Sequence, residues 1–468
     1  MAPSSPDRSL AAVAAAVRGA LLDPHAADLT FSSASLDSRT LTPGQLFFAI
    51  RGPRFDGHAY LDAVAERGAI AAVVSNALPQ GPRSLPLIRV DDTAAALTDL
   101  AASIRRSWGG PLVAVTGSTG KTTTKDMVAR LLETQGRVLR TEGNLNNQYG
   151  LPLTLLRLER AHDFAVVELG MSAAGELHAL SRAAAPDVAV ITNAGSAHLE
   201  FFASVDAIAE AKAELLDGLR AGGHAVLNRD DSRLLRIGQA SGRSVVWFGL
   251  GRDADVSASS VCASGTGTRF TLEARGQSTK VDLAMVGLHF VSDFLAATAA
   301  AGCLGVGIED AARAAATLAP TGRRGDLRAL GRGVRLLDDC YNASPEAVEA
   351  ALGTLSLLGG GRRVAFLGDM LELGDRSPEL HQALGSSLPG RVDILVAVGE
   401  LSRQTLDGAI AAGFDAASAW HVDDSAGAAA LATDLTRPGD AVLVKGSRAT
   451  RMERVSEALV ALFGDGNA

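Results

Sequence analysis

Cysteine is almost missing from this chain of 468 residues: Cys262, Cys303 and Cys340 stand far apart, a spacing that suggests neither a disulfide framework nor a thiolate metal site. Aromatic residues make up only 4% of the chain. No apolar run reaches the roughly 18 residues needed to cross a bilayer. Positive charge is not in excess either, since the formal net charge is −8 and the arginines are scattered. That balance argues against nucleic acid or an anionic membrane as a bulk partner, so any phosphate ligand must be held locally. Lysine is scarce, with only Lys121, Lys125, Lys212, Lys280 and Lys445 among 44 basic residues. A lysine that persists in an arginine-rich chain is a candidate for work that needs a primary amine. Chance survival suffices for Lys280, in an expected hairpin. The alanine-rich stretch Leu10 to Val17 is short and follows Asp7 and Arg8, so it reads as a helix rather than a signal peptide. A reducing cytoplasm is the expected compartment.

What the chain does have is length for roughly three domains and 47% hydrophobic residues. Up to Trp108, short strands (45–50, 71–74, 87–90) mix with helices (60–67, 93–107), as in a small α/β domain. From Leu112, apolar β-rich runs alternate with helices: strands 112–116, 164–168, 188–192, 225–228 and 245–248, helices 123–134 and 204–219. Continuous apolar strands between helices predict a parallel sheet covered on both faces. Alternating stretches 269–274 and 280–285 predict a hairpin, followed by a helix over 291–303. After the linker Pro320 to Gly325 the rhythm restarts, with strands 334–338, 364–367, 394–398 and 442–444, as in a second nucleotide-fold-like sheet. The expected fold is therefore α/β in three domains, 1–109, 110–319 and 320–468.

The segment Val113-Ala114-Val115-Thr116-Gly117-Ser118-Thr119-Gly120-Lys121-Thr122-Thr123-Thr124 runs from an apolar strand through a Gly-Lys-Thr loop into a helix. Glycines let backbone N–H groups reach phosphate oxygens, the helix offers its positive end, Lys121 supplies a point charge, and the Thr122 hydroxyl suits Mg²⁺. The general phosphate-loop pattern has four residues between its glycines, whereas only Ser118 and Thr119 lie between Gly117 and Gly120. The short Thr-Gly-x-x-Gly-Lys-Thr form fits. Glu168 ends one strand, and Thr192-Asn193 end another just before His198. Carboxyl ends of parallel strands are where ligands gather, so Glu168 is either a metal carboxylate partnered with Thr122 or a capping residue.

The short loop resembles that of the Mur ligase family, the ATP-dependent amide ligases that build the peptidoglycan stem peptide. So do Ile191-Thr192-Asn193-Ala194-Gly195-Ser196-Ala197-His198 and Glu210-Ala211-Lys212-Ala213-Glu214. The resemblance implies that His198 ligates a second Mg²⁺ and that Lys212 is carbamylated into an oxygen ligand; the residues alone would allow a surface salt bridge from Lys212 to Glu210 or Glu214. The run Leu36-Asp37-Ser38-Arg39-Thr40, with Phe55-Asp56-Gly57-His58, resembles the family's uridine-diphosphate-binding domain. On that reading Ser38, Arg39, Asp56, Gly57, His58, Asn146 and Asn147 hold the UDP-linked substrate. Asp338-Asp339-Cys340-Tyr341-Asn342-Ala343-Ser344-Pro345, Leu367-Gly368-Asp369-Met370-Leu371-Glu372-Leu373-Gly374 with His381, and Val444-Lys445-Gly446-Ser447-Arg448 resemble the member that joins D-alanyl-D-alanine to UDP-N-acetylmuramoyl-tripeptide. The central domain would be the family's P-loop ATPase domain and the last its Rossmann-like domain.

The implied reaction consumes ATP with Mg²⁺ at two sites (Thr122, Glu168, His198 and carbamylated Lys212) and passes through an acyl phosphate. Lys121, Lys212, His198, Glu168, Asn342 and Lys445 would be catalytic. Thr116, Gly117, Ser118, Thr119, Gly120, Lys121, Thr122, Thr123, His289, Asp293, Arg323 and Asp339 would bind ATP, with Asp339 on the ribose. The adenine helix departs from the family pattern: Phe290 and Asp293 stand where asparagine is usual, and Ser344 stands where asparagine is common. A monomer acting on small molecules, without nucleic acid or membrane insertion, is expected. Alternatives are the ligase for the third amino acid, whose Asp-Asn-Pro-Arg motif is missing here, a folylpolyglutamate-type relative, and a nucleotide-dependent switch without ligase activity.

Overall fold

The computed structural model describes residues 6–53, 55–75 and 85–466, so Met1 to Ser5 of the amino-terminal stretch and the last two residues lie outside the described residues. The strands fall into three sheets of five, nine and six members, interleaved with helices in a mixed α/β fold. Two compact units divide the chain: residues 1–116, 132–189 and 214–224 form one, and residues 117–131, 190–213 and 225–468 the other.

The first unit carries the five-stranded sheet, in the order Ala20–Leu21, Leu87–Arg89, Ala71–Val74, Leu46–Phe48, Ala34–Ser35. All neighbours run parallel except the first pair. Every residue of Leu46–Phe48 and Ala71–Val74 is buried, as strands covered on both faces require. Phe47, Ala49, Leu61, Val64, Ala72 and Val74 form one core beneath them. Helix Thr93–Trp108 starts where Asp92 accepts from the N–H groups of Ala94 and Ala95, and it ends one residue beyond the expected 107, with Gly109 as its C-cap. On its buried face Arg105 donates to the carbonyls of Gly110, Ala184 and Ala185 and to Asp187 at 2.8–3.0 Å. Burial pulls this guanidinium down to about 10, opposed by Asp187. Strand Leu112–Thr116 follows, parallel to Phe164–Glu168, which in turn pairs with Val138–Arg140.

In the second unit the expected hairpin is present as Gly267–Ala274 and Gln277–Leu283, in register from Thr268↔Leu283 to Ala274↔Gln277. A third strand, Val256–Ser264, pairs antiparallel with it and carries an irregularity between Ser259 and Cys262. The expected helix over 204–219 is here an α-helix, Val205–Ala213, and the 3₁₀ turn Glu214–Gly218 that follows it in the chain belongs to the first unit. The six-stranded sheet runs Asp326–Ala329, Arg335–Asp339, Ala441–Lys445, Arg363–Gly368, Ile394–Val398, Ala419–Val422, parallel except for its first strand. Alternate residues feed different cores: Leu337, Ala365, Leu367 and Leu395 face one side, and Leu336, Val364, Phe366 and Val396 the other. This period of two leaves the polar residues Asp339 and Lys445 at the carboxyl ends of adjacent strands.

Candidate active site

The phosphate loop is a tight turn that its own sequence dictates. Gly117 has φ +155° and Gly120 φ +78°, and a Cβ on either would lie 1.9 Å from Thr192 Oγ1 or 2.2 Å from Asp293 Oδ1. Helix Lys121–Leu132 then begins on the lysine itself, so its first N–H groups open onto the loop. Lys121 Nζ donates to the carbonyls of Gly117 (2.7 Å) and Ser118 (3.2 Å). Thr116 Oγ1 donates to Leu169 O, and Thr122 is buried.

The segment after strand Val188–Ile191 grips this loop. Thr192 Oγ1 and Asn193 Nδ2 both donate to Thr119 O, and Asn193 Oδ1 accepts from Thr119 N. Ser118 N donates to Asn193 O, and Ser118 Oγ accepts from Gly195 N at 2.8 Å. His198, at φ +69°, places Nδ1 2.5 Å from Glu372 Oε2. Glu372 is itself left-handed, at φ +62°, and His198 beside it holds its carboxyl below the usual range.

Lys212 and Glu168 are the two buried ionisable groups expected at the metals. Lys212 is 1% exposed, and its amine is pushed well below the ordinary range by burial and then by the charge of Lys121, with no carboxylate among the influences. Neither Glu210 nor Glu214 is among those influences. The Glu214 carboxylate instead accepts from the N–H groups of Gly175 and His178. Glu168 is 3% exposed; its Oε1 accepts from Asn146 Nδ2 at 2.7 Å, and its Oε2 is buried with no hydrogen-bond partner. Among the described residues no three His, Cys, Asp or Glu side chains gather as a metal cluster.

At the carboxyl ends of the six-stranded sheet, Lys445 Nζ lies 2.5 Å from Asp339 Oδ2 and 3.1 Å from Asn342 O. Burial raises the Asp339 carboxyl, opposed by the Lys445 ammonium. His289 is brought down to about 4 by burial and by Lys445, and its ring lies 4.0 Å from that of Phe290. Arg323 is tied to Glu457 (2.9 Å) and Asp338 (3.4 Å). Asp293 lies against the phosphate loop: Thr124 Oγ1 donates to it at 3.3 Å, and burial pushes its carboxyl up to about 8.

Of the residues expected at the UDP-linked substrate, Asp56, Gly57 and His58 form one knot. His58 Nε2 accepts from Ser75 N at 2.9 Å, which puts the proton on Nδ1, 2.5 Å from Asp56 Oδ1. Arg39, just after Ser38, is exposed and pairs with Asp37. Asn146 and Asn147 are engaged elsewhere, the first on Glu168 and the second accepting from Tyr149 N and Gly150 N at a helix start. Sequence reasoning assigned no role to Glu346 or Glu372. Glu346 sits in a first helical turn, where a carboxylate is ordinarily read as favouring the helix dipole.

A strand, a glycine loop with its lysine and threonine, and a helix start, set on parallel strands, define a nucleoside-triphosphate-binding protein of the phosphate-loop class. Three family models match in series: "Mur ligase family, catalytic domain" over residues 30–105, "Mur ligase middle domain" over 115–301 and "Mur ligase, glutamate ligase domain" over 323–448. A UDP-N-acetylmuramoyl-tripeptide--D-alanyl-D-alanine ligase of Bacillus subtilis is 36% identical over 455 residues, 97% of this chain and 98% of its own. The crystal structure of MurF from Acinetobacter baumannii superposes with a TM-score of 0.87 at 30% identity, covering 98% of this chain and all of that one. MurF ligase from Thermotoga maritima, in complex with ADP, does so with a TM-score of 0.81 at 31% identity over 92% and 97% of the two chains. The chain belongs to the Mur ligase family.

Proposed function

We propose that this chain is the ATP-dependent ligase that joins D-alanyl-D-alanine to UDP-N-acetylmuramoyl-tripeptide, giving the pentapeptide precursor of peptidoglycan. The observation that carries this is the likeness to the B. subtilis ligase along 97% of the chain. A carboxylate is too poor an electrophile for amide formation, so the tripeptide carboxylate first takes the γ-phosphoryl group of ATP, releasing ADP. The amine of the dipeptide then attacks the acyl phosphate, loses a proton, and the tetrahedral intermediate expels phosphate. Lys121 and the loop N–H groups bind and neutralise the phosphates. Asp339 and His289 are assigned to the nucleoside, Arg323 to the transferring phosphoryl group, and Lys445 and Asn342 to the reacting groups.

Glu168, with a buried carboxylate oxygen that has no partner, and the Thr122 hydroxyl are assigned to a Mg²⁺ ion, which takes a few protein oxygens beside water and phosphate oxygens. His198 and a carbamate on Lys212 are assigned to a second. Bound there, Mg²⁺ would neutralise charge on the phosphates. The depressed pKa of Lys212 supports carbamylation, because only a neutral amine adds to carbon dioxide.

The three regions 1–109, 110–319 and 320–468 are assigned to the UDP-linked substrate, to ATP and to completion of the ligase site, a division supported by the three family matches. Among the described residues no helix is long and apolar enough to cross a membrane. A cytoplasmic setting is supported by three free cysteines and action without nucleic acid by the acidic net charge; with them we assign a monomer that works in cell-wall synthesis and so in cell shape and division. The test is phosphate release from ATP with UDP-N-acetylmuramoyl-tripeptide, with and without D-alanyl-D-alanine, and mass spectrometry of the product. Dipeptide-dependent release with the pentapeptide is expected. Release with a single amino acid would move the chain to a neighbouring ligase, and no release with any amine would revive the binding-protein alternative.

A further inference from the structure

The segment from Asn193 to Glu200 is bonded on two sides. One side holds the phosphate loop, through Asn193 to Ser118 and Thr119 and through Gly195 to Ser118. The other is held by two carboxylate-bearing residues from the carboxy-terminal region. Glu346 accepts from Ser196 N at 2.8 Å with one oxygen and from Ser196 Oγ at 3.0 Å with the other, and it lies so close over Gly195 that a Cβ there would come 2.9 Å from it. Glu372 accepts from Glu200 N through its carbonyl at 2.9 Å and meets His198 through its side chain. The mounts of both are fixed. Ser344 caps the helix that carries Glu346. The loop that carries Glu372 is pinned by Met370 N donating to buried His381 Nε2 and by Leu371 N donating to Ser447 Oγ.

Two non-glycine residues in left-handed backbone, His198 and Glu372, meet across this junction. Such conformations are sparsely populated and persist where the surroundings enforce them. A bidentate, charge-assisted pair of hydrogen bonds to one serine fixes direction as well as distance.

We propose that Glu346 is a positioning residue for phosphoryl transfer: by locking Ser196 it fixes the 193–200 segment, and through that segment the phosphate loop, to the carboxy-terminal region that supplies Lys445 and Asp339. Glu346 touches no reacting atom in this scheme. ATP can still enter a loop whose own bonds are intact, so the loss falls on the chemical step rather than on nucleotide binding.

The proposal rests on the ATP-ligase reading, and wild-type phosphate release in the same assay separates failure of that reading from failure of this one. In Glu346→Ala, kcat should fall about tenfold while KM for ATP changes less than about threefold, a loss of about 1.4 kcal/mol from the transition state. Glu346→Gln, whose carbonyl still accepts from Ser196 N, should recover most of the rate. Hydrogen exchange in the full chain gives the second readout: amides of residues 117–119 should lose protection in Glu346→Ala, although none of them touches Glu346, and keep it in Glu346→Gln. The double variant Ser196→Ala with Glu346→Ala should be no slower than the worse single variant, since both break one link. Multiplying losses, unchanged protection at 117–119, or a glutamine variant as slow as the alanine one would overturn the proposal.

Discussion

Asn146 donates its side-chain amide to one oxygen of Glu168 at 2.7 Å, leaving the other oxygen buried and without a partner. The asparagine thus orients a carboxylate the way outer-sphere partners orient metal ligands, where their loss typically costs about 10–100-fold. Asn146→Ala should raise the Mg²⁺ concentration giving half-maximal phosphate release and lower kcat by about tenfold, with little change in KM for the UDP-linked substrate. If KM for that substrate rises alone, Asn146 belongs to the substrate site instead.

Lys212 is buried and its amine is driven toward the neutral form. Lys212→Ala should lose roughly a hundredfold in kcat and recover part of it with acetate or propionate, which restore a carboxylate oxygen. Lys212→Arg, which cannot form a carbamate, should be as slow and should not respond. A carbon-13 carbamate signal in wild-type protein supplied with labelled carbon dioxide is expected; full activity of the untreated alanine variant would rule out the carbamate.

Asp293 has a folded-state pKa of about 8, raised by burial, against an unfolded value near 4. Its native form therefore holds a proton that the unfolded chain has released, and the sign follows: the contribution to stability is complete below about pH 4 and is lost as pH rises toward about 8. The local slope is at most roughly 1.4 kcal/mol per pH unit. Asp293→Asn should remove this slope and raise Tm at pH 8 more than at pH 5. Parallel melting curves for the two proteins across that range would contradict the assignment.

His58 is buried, accepts from Ser75 N and faces Asp56. Replacing it with phenylalanine leaves the Ser75 N–H unsatisfied, a cost of about 1–3 kcal/mol. His58→Phe should lower stability to denaturant by that order, and it should weaken UDP-linked substrate before it weakens ATP. A variant that loses ATP affinity first would detach His58 from the substrate-binding region.

Apolar runs such as Leu112 to Thr116 and Ile394 to Val398 were legible in the sequence because strands buried on both faces carry an unbroken signal, and both lie where expected. Partly exposed or irregular strands were not. Ala419–Val422, at the edge of its sheet, is only half-buried at each residue, and Val256–Ser264, an interior strand, is interrupted by a register irregularity. In the site, the glycine-lysine-threonine loop announced itself because few other functions need that backbone. Asn146 carried no local sign that it would meet Glu168, 22 residues away. Glu346 and Ser196 are separated by 150 positions, and no spacing rule spans such a distance. Asp293 was legible as a departure from the family's asparagine, yet its contact with Thr124 depended on how helix Leu288–Cys303 packs.

The buried Arg105 bears on how such proteins can be recombined. Its guanidinium joins a helix that closes the amino-terminal module to the carbonyls of Gly110, Ala184 and Ala185, three acceptors that an exchange cut at residue 109 would leave dependent on a foreign donor. A chimera that exchanges the amino-terminal module between relatives must therefore carry the turn at 184–187 along with the helix. The seam for grafting follows the arginine's hydrogen bonds, not the border drawn along the chain.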